Sequence, residues 1–244
     1  MQNEQINSGK KKRGKSFWVS LIVIAVLIPL TVGISWYLGD RKYYVASVLI
    51  MIYSMLPFFA VFENRKPQAR ELVTLAVMCA IAVVSRVAFI AINNFKPMGG
   101  IVMITAMAFG PQAGFMTGAL SMIVSDIIFG QGPWTPWQMF SYGLLGFVAG
   151  IMAKKGILSE KTPLRDAIIG FVLMVIMVGP ILDTCAIFTM ANVVNTSSAL
   201  AVYISGIPVN VSQGVAVFLC VLLLTKPIME KLNRIKIKYG MMQP

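Results

Sequence analysis

Long apolar runs, separated by short charged or Pro- and Gly-rich connections, make up most of the chain. An apolar run of about 20 residues is long enough to cross a bilayer as a helix. The pattern predicts about eight spans, near residues 17–38, 43–62, 71–93, 98–110, 112–130, 137–153, 165–191 and 201–225. The fourth is short, and Pro97, Gly99 and Gly100 favour an irregular or tilted start for it. We therefore predict an all-α integral membrane protein.

Composition agrees with this fold class and argues against metal, disulfide and nucleic-acid-binding sites. Of the 244 residues, 57% are hydrophobic and 12% are charged, and the mean hydropathy of +0.78 is too high for a soluble domain. There is no histidine, and the three cysteines lie in apolar segments without metal or disulfide spacing. No metal and no cofactor are predicted. The net charge of +12 lies between apolar runs rather than on a soluble face, so no nucleic-acid partner is expected.

Positive charge is concentrated in alternate connections. Most Lys and Arg residues lie in the 10–15 tail, the 65–70 linker, the 154–165 loop and the 226–238 end, and few lie in the other connections. Because cytoplasmic loops retain Lys and Arg during insertion, this asymmetry predicts that both termini are cytoplasmic. An even number of spans agrees with this, because it places both termini on the same side of the membrane. The expected location is the cell membrane, with the lipid bilayer as an obligate partner.

The charged segment ENRKPQARE, residues 63–71, divides the predicted spans into two groups. We expect a basic cytoplasmic tail at 1–16, an accessory transmembrane hairpin at 17–62, a six-helix substrate-binding bundle at 71–225, and a second basic tail at 226–244. The chain shows no internal repeat, which argues against the usual inverted-repeat secondary transporter.

The segment GKKKRGKS, residues 9–16, has the spacing of a phosphate-binding loop. Such a loop needs a buried strand before it and a helix after it whose amino end meets the phosphates. A polar segment and a membrane span lie there instead. The segment is better explained as a basic cluster near anionic lipid headgroups, and the chain is not expected to be an ATPase or any other enzyme.

Ionisable side chains within apolar spans are the first candidates for function, because they are costly in hydrocarbon. Arg86, Asp126 and Asp183 all fall in the outer third of their predicted spans. A paired cluster of the three could form the floor of an outward-facing substrate site, or it could be a structural ion pair that joins helices. The two aspartates could also belong to an intramembrane aspartate enzyme, although neither lies in a Gly-x-Gly-Asp context.

Two outer connections carry candidate binding residues. The stretch FGQGPWTPWQM, residues 129–139, combines two prolines and two glycines with Gln131, Trp134, Trp137 and Gln138. A stiff aromatic loop suits ligand capture, whereas an interfacial tryptophan belt is the alternative. The preceding connection contributes similar side chains, and together the two could form a lid. Its candidates are Asn93, Asn94, Phe95 and Lys96. Asn210, with Asn192, Asn195 and Gln213, could line the same site or form ordinary interhelical hydrogen bonds.

Small residues one turn apart let helices approach closely. Ala76 and Ala80 form such a face on the third span, and Gly114/Gly118 and Gly146/Gly150 form two more, which we expect to be used in packing within the bundle.

Region 71–225 resembles the substrate-binding S component of an energy-coupling factor (ECF) vitamin transporter. The resemblance is carried by RELVTLAVMCAIAVVSR with its Ala-x-x-x-Ala, by the block from NFKPMGG to GPWTPWQM, and by the six-helix length. It implies an S-component-like bundle that captures a vitamin outside the cell. It also implies delivery by toppling onto a membrane scaffold subunit driven by two ATPase subunits, with Ala76 and Ala80 as scaffold-docking residues.

Within the family, the GQGPWTPWQM segment and the amino-terminal hairpin are most similar to S components assigned to cobalamin, so cobalamin is the expected vitamin. Folate, pantothenate and thiamin-related compounds are alternatives. Because the chain has no histidine, it cannot replace the lower base of cobalamin with an imidazole. The hairpin departs from the six-helix pattern of the family, and it could regulate docking or only anchor the chain.

Overall fold

The computed structural model describes residues 43–64, 68–92, 94–190 and 195–239. Every regular element in these residues is helical. The elements are α1 (Tyr43–Asn64), α2 (Ala69–Ala88), α3 (Met98–Phe109), α4 (Pro111–Phe129), α5 (Trp134–Lys154), α6 (Pro163–Leu173), a π-helical turn (Met174–Val178), α7 (Gly179–Met190) and α8 (Thr196–Tyr239). The chain divides into two compact units, Met1–Lys66, which contains α1, and Pro67–Pro244, which contains the other helices. The predicted first span and the tail before it lie outside the described residues.

Helix α3 is the centre of the second unit. Eleven of its 12 residues are buried, and it packs against α2, α4, α5 and α8. A helix that is apolar around its whole circumference is stable when other helices or lipid cover it, and here other helices do so. At 1.5 Å per residue α3 is about 18 Å long, which is shorter than the hydrocarbon core of a bilayer. The helix is regular from Met98 onward, and its shortness is accommodated by its burial within the bundle.

Helices α4 and α5 form the most extensive helix pair of the unit. Glycines allow their backbones to touch. A Cβ on Gly114 would lie 2.6 Å from the carbonyl oxygen of Gly146, and a Cβ on Gly150 would lie 2.5 Å from the Cα of Pro111. Larger residues would force the helices apart. The expectation that these glycine faces serve packing within the bundle is confirmed.

A π-helical turn joins α6 to α7. Pro180, in the first turn of α7, has no N–H, and its ring would collide with the carbonyl of Ile176 in a regular helix. The wider turn at Met174–Val178 accommodates the proline without ending the helix. The result is one apolar helical stretch, Pro163–Thr189, which agrees with the span predicted at 165–191.

Helix α8 has 44 residues and is therefore about 66 Å long, roughly twice the hydrocarbon thickness of a bilayer. It continues past the predicted boundary at residue 225, because Met229 and Leu232 are buried against the bundle. The Nζ of Lys236 donates to the carbonyl of Ala108, 2.7 Å away, at the end of α3. Residues 226–239, predicted as part of a basic cytoplasmic tail, thus continue the same helix and pack on the bundle.

Four helical stretches in the described residues are long and apolar enough to cross a membrane: Ala69–Ala88, Pro111–Phe129, Pro163–Thr189 and Thr196–Tyr239. Two shorter apolar helices are Val48–Glu63 and Met98–Phe109. An α-helical membrane protein is thus confirmed, whereas the total of eight spans and the side of each terminus stay predictions. Helices α2 and α4 both end at the same end of the bundle, which we call the Arg86 end.

Candidate functional site

The predicted aromatic loop is largely the first turns of α5. Only residues 130–133 form the connection, and Trp134 is the first residue of the helix. Gly132 and Thr135 hold the start in place, since the Gly132 N–H donates to Thr135 Oγ1 at 3.2 Å and the Thr135 N–H donates to the Gly132 carbonyl at 3.0 Å. Pro136 lies in the first turn, where its missing N–H removes no helical hydrogen bond. The loop prediction for residues 134–139 is therefore wrong.

The buried ion pair at the Arg86 end joins the end of α2 to the end of α4. Nη1 of Arg86 lies 2.9 Å from Oδ1 of Asp126, and the two side chains are 6% and 1% exposed. The same Nη1 donates to the Oγ of Ser125, and the guanidinium lies 4.5 Å above the ring of Phe129. The Gln138 amide, oriented with its nitrogen toward Asp126, donates to both carboxylate oxygens at 3.2 Å. We call Arg86, Ser125, Asp126, Phe129 and Gln138 the ion-pair cluster.

Each group of the ion-pair cluster lowers the cost of burying the others. An isolated buried charge costs several kcal/mol, and this cost is offset only by a close opposite charge with additional hydrogen bonds. Asp126 has both, from Arg86 and from Gln138. The Nε of Arg86 is buried without an acceptor among the described residues. The cluster therefore holds α2, α4 and α5 together, and the Nε–H of Arg86 is left without an acceptor among the described residues.

The two tryptophans have different surroundings. Trp137 is 5% exposed and stacks on Phe188 of α7, with ring centroids 6.2 Å apart, and its Nε1 has no acceptor in the described part of the chain. Trp134 is 37% exposed, and its ring lies where a Cβ on Gly132 would be. Gln131 is exposed in the short connection. The pair does not form one exposed aromatic surface, because Trp137 is buried against Phe188 whereas Trp134 is partly exposed.

The connection between α2 and α3 covers residues 89–97. Asn94 has a positive φ of 60°, a conformation that asparagine tolerates better than most residues. Phe95 packs on Phe89, with ring centroids 5.1 Å apart. Burial lowers the pKa of the Lys96 ammonium, the Arg86 guanidinium lowers this pKa further, and the Asp126 carboxylate opposes both effects. The charges of Arg86 and Asp126 thus act on Lys96. Asn93 lies outside the described residues.

Asp183 is not part of the ion-pair cluster. The Nδ2 of Asn210 on α8 donates to Oδ2 of Asp183 on α7 at 2.8 Å. A Cβ on Gly179 would lie 2.6 Å from Nδ2 of Asn210, and a Cβ on Gly206 would lie 2.6 Å from Cγ of Asp183. Each helix thus presents a glycine, and four residues later a polar side chain that packs on the glycine of the other helix. We call Gly179, Asp183, Gly206 and Asn210 the glycine clasp. The expectation that Arg86, Asp126 and Asp183 form one cluster is wrong, because Asp183 has a different partner.

One further polar contact ties the Arg86 end to α8. The hydroxyl of Tyr142 donates to Oε1 of Gln213 at 3.1 Å, and both side chains are buried. Tyr142 lies one turn after Gln138 on α5. The contact is an interhelical hydrogen bond, which was one of the two alternatives considered for Gln213.

Sequence reasoning missed several residues that complete these contacts. Ser125, Phe129 and Phe188 look like ordinary span residues in the sequence. Only the structure shows that Ser125 and Phe129 contact Arg86 and that Phe188 contacts Trp137. A signal for the glycine clasp does exist in the sequence. Gly179 and Asp183 have the same spacing of four residues as Gly206 and Asn210.

Ala76 and Ala80 lie on the exposed face of α2, beside the exposed side chains of Val73 and Val77. They are available to contact lipid or another protein. Among the residues that the structure describes, no group of three or more Cys, Asp or Glu side chains could hold a metal ion.

Comparison with known proteins identifies the family of this chain. A model of the family "ECF-type riboflavin transporter, S component" matches residues 66–230, more than half of the chain. A UPF0397 protein of Vibrio atlanticus (strain LGP32) is 30% identical over 77 residues, which cover 30% of this chain and 42% of that protein. A UPF0397 protein of Clostridium perfringens (strain SM101 / Type A) is 31% identical over 62 residues, which cover 25% of this chain and 33% of that protein. The chain spans less than half the length of these relatives, and no solved structure matches it.

Proposed function

The chain belongs to the family of ECF-type riboflavin transporter S components, and from this premise we propose that its Arg86 end captures a vitamin, with riboflavin favoured. The family makes the chain a substrate-binding subunit of a transporter in the plasma membrane, and not an enzyme. It also implies association with the scaffold and ATPase modules of an ECF transporter.

The observation that carries this proposal is the grouping of aromatic and polar side chains at the Arg86 end of the bundle. Aromatic and polar groups converge at the Arg86 end, where the stacked Trp137 and Phe188 lie on α5 and α7 and the ion-pair cluster lies on α2, α4 and α5. Binding sites for small molecules combine apolar and aromatic walls with a few well-placed polar groups. The distribution of Lys and Arg predicts that this end faces outward. The grouping of these side chains and the predicted orientation together support capture from outside the cell.

Riboflavin is favoured over cobalamin for two reasons. The family that matches the chain is named for riboflavin. The expectation of cobalamin depended on the similarity of the GQGPWTPWQM segment and of the amino-terminal hairpin, and in the structure only residues 130–133 of that segment form a connection, with Trp137 buried. Cobalamin stays an alternative, as do folate, pantothenate and thiamin-related vitamins.

Equilibrium binding to the purified chain tests the proposal. The chain in detergent, without nucleotide and without other subunits, is titrated with riboflavin and, in parallel, with the other vitamins. We expect riboflavin to bind with a Kd below about 10 μM, which corresponds to roughly 7 kcal/mol. Binding of cobalamin without riboflavin would overturn the assignment of the ligand and leave vitamin capture in place. The absence of binding to every vitamin at this level would overturn capture itself.

Delivery is proposed to use the exposed face of α2 around Ala76 and Ala80, where close approach of another helix needs small side chains. Ala76→Leu is expected to leave vitamin binding unchanged and to abolish uptake by cells that contain the complete transporter. Ala201→Leu is the matched control, because Ala201 is exposed on α8. Loss of binding in Ala76→Leu, or equal loss of uptake in both variants, would contradict this division of roles.

The rival function, an intramembrane aspartate enzyme, gains nothing from the geometry. Asp126 is paired with Arg86, and Asp183 accepts a hydrogen bond from Asn210. The two aspartates are thus held by different partners, whereas a catalytic dyad needs two carboxylates that share a proton.

The domain organisation also stays a proposal, with residues 71–225 as the binding bundle and residues 17–62 as an accessory hairpin. Deletion of residues 1–62 tests it. Uptake that survives the deletion would make the hairpin dispensable for transport, and uptake that fails while vitamin binding persists would assign the hairpin to docking.

A further inference from the structure

The last part of α8, residues 226–239, is strongly basic, and we call it the basic extension. It contains five Lys or Arg residues and one acidic residue. Two hydrogen bonds hold it against the bundle. The Nζ of Lys236 donates to the carbonyl of Ala108 in the last turn of α3, and the Nδ2 of Asn233 donates to Oε2 of Glu160, just before α6 begins, at 3.3 Å. The basic extension therefore lies at the end of the bundle opposite the Arg86 end, at the level where the apolar helices end.

One side of the basic extension is buried and the other is exposed and basic. A helix with 3.6 residues per turn places positions i, i+3 and i+7 on one side. Lys231, Arg234 and Lys238 have this spacing, and all three are exposed. Met229 and Leu232, which are buried, lie on the opposite side. The three cations thus form one line that points away from the bundle, and we call them the basic stripe.

The basic stripe has no acidic partner in the part of the chain that the structure describes. None of its side chains forms an ion pair there, and neither does Glu230, which is exposed on its flank. Arg70, at the start of α2, adds a further cation. Its guanidinium lies 5.2 Å and the Nζ of Lys238 lies 5.4 Å from the centre of the Tyr239 ring. Cations gathered around one ring repel each other, so an anion is needed to offset the charge.

The basic stripe continues an exposed apolar line on the same helix. Side chains four residues apart lie in a row along a helix. At this spacing α8 exposes first apolar residues and then the first cation of the basic stripe: Val211, Val215, Leu219, Leu223, Pro227 and Lys231. Lipid tails cover an apolar row on the outside of a membrane-spanning helix, and headgroups lie where the neighbouring helices end. The row therefore fits a molecule with an apolar tail and an anionic head better than it fits the acidic surface of a protein.

We propose that the basic stripe and the apolar row that leads into it bind an anionic phospholipid of the cytoplasmic leaflet. The lipid phosphate lies against Lys231, Arg234 and Lys238, with Arg70 beside it, and an acyl chain lies along the row that includes Leu223. The distribution of Lys and Arg predicts that this end of the bundle faces the cytoplasm. The negative charge of that leaflet complements the basic stripe. The lipid site lies at the other end of the bundle from the proposed vitamin site and does not depend on which vitamin is bound.

The test measures lipid binding to the full chain in a neutral detergent. Fluorescently labelled phosphatidylglycerol and phosphatidylcholine with identical acyl chains are titrated separately, and their Kd values are compared. We expect phosphatidylglycerol to bind at least about ten-fold more tightly, because each cation near an anionic headgroup contributes to its attraction. In the triple variant Lys231→Gln/Arg234→Gln/Lys238→Gln the two Kd values should become equal. Lys231→Arg/Lys238→Arg should retain the preference, because it keeps the charge.

The variant Lys154→Gln/Lys155→Gln/Lys161→Gln is the matched control. It removes three exposed cations from the end of α5 and the following loop, at the same end of the bundle. It should keep the preference for phosphatidylglycerol. Both triple variants replace exposed side chains, so their denaturant unfolding in neutral detergent should match that of the wild type.

Three results would overturn the lipid site. They are equal Kd values of the two lipids for the wild type, a preference that persists when the basic stripe is neutralised, and a preference that the control variant loses to the same extent. If the wild type showed no preference and the variant without the basic stripe still failed in uptake by cells that contain the complete transporter, the stripe would bind a protein partner instead of a lipid.

Discussion

The ion-pair cluster and the glycine clasp both place a carboxylate among apolar helices, but they stabilise it differently. Asp126 is 1% exposed and is neutralised by Arg86. Asp183 is only partly buried, has an amide partner, and packs on Gly206. Full burial demands compensation of charge, whereas partial exposure allows a neutral hydrogen bond to suffice. The comparison indicates that the first cluster holds α2, α4 and α5 together through opposite charges, whereas the second holds α7 against α8 through a hydrogen bond to an uncharged partner.

Replacing Arg86 should give the largest effect on stability. In Arg86→Leu the carboxylate of Asp126 stays buried without its guanidinium, which is expected to cost about 3–5 kcal/mol of unfolding free energy. Denaturant unfolding in detergent measures the change. The double variant Arg86→Leu/Asp126→Leu should recover most of the loss, because it removes both charges. A double variant as unstable as the single one would show that the pair does not act through charge.

Replacing Trp137 should give the next largest effect, and this effect is on ligand binding. Trp137→Ala removes the ring that stacks on Phe188 and is expected to weaken vitamin binding by about 1–3 kcal/mol, as for a central anchor. Trp134→Ala, at a ring that is 37% exposed, should weaken binding less. Titration of both variants measures the difference. Equal Kd values in the two variants and the wild type would assign both rings to interfacial anchoring.

Adding a methyl group at the glycine clasp should have a smaller effect. The Cβ in Gly206→Ala would meet the carboxylate of Asp183, and the expected loss is about 1–2 kcal/mol of unfolding free energy because the half-buried side chain can shift. A double-mutant cycle with Asp183→Ala provides the control. If the methyl group acts through this contact, Gly206→Ala should cost less in the Asp183→Ala background. Additive losses would place the clash elsewhere.

Replacing Asp183 by asparagine should give the smallest effect, and Asp126→Asn is the variant with which it is compared. Asp183→Asn keeps a hydrogen-bond acceptor for Asn210 and is expected to cost less than about 1 kcal/mol. Asp126→Asn leaves Arg86 buried without a counter-charge and should cost considerably more. Unfolding of the two variants under the same conditions measures the contrast. An Asp183→Asn variant less stable than Asp126→Asn would reverse the interpretation of both sites.

Much of the helical architecture could be predicted from residue order alone. The spacing of apolar residues predicted the stretch near 165–191. The glycine faces predicted close packing within the bundle, although not which helices would meet. Arg86 and Asp126 stood out because charges are costly inside apolar helices. These features depend on local composition and on a period of 3.6 residues, which a single segment contains in full.

Tertiary structure alone decided which of these groups meet. Arg86 and Asp126 are 40 residues apart, and Asp183 and Asn210 are 27 apart, so their pairing depends on how distant helices are rotated against each other. Burial of Trp137 required Phe188 from α7, and the continuation of α8 to Tyr239 required a bundle surface for Met229 and Leu232. Local sequence specifies a helix, but contacts between helices specify its partners, because the free energy of packing is shared by residues that no single segment contains.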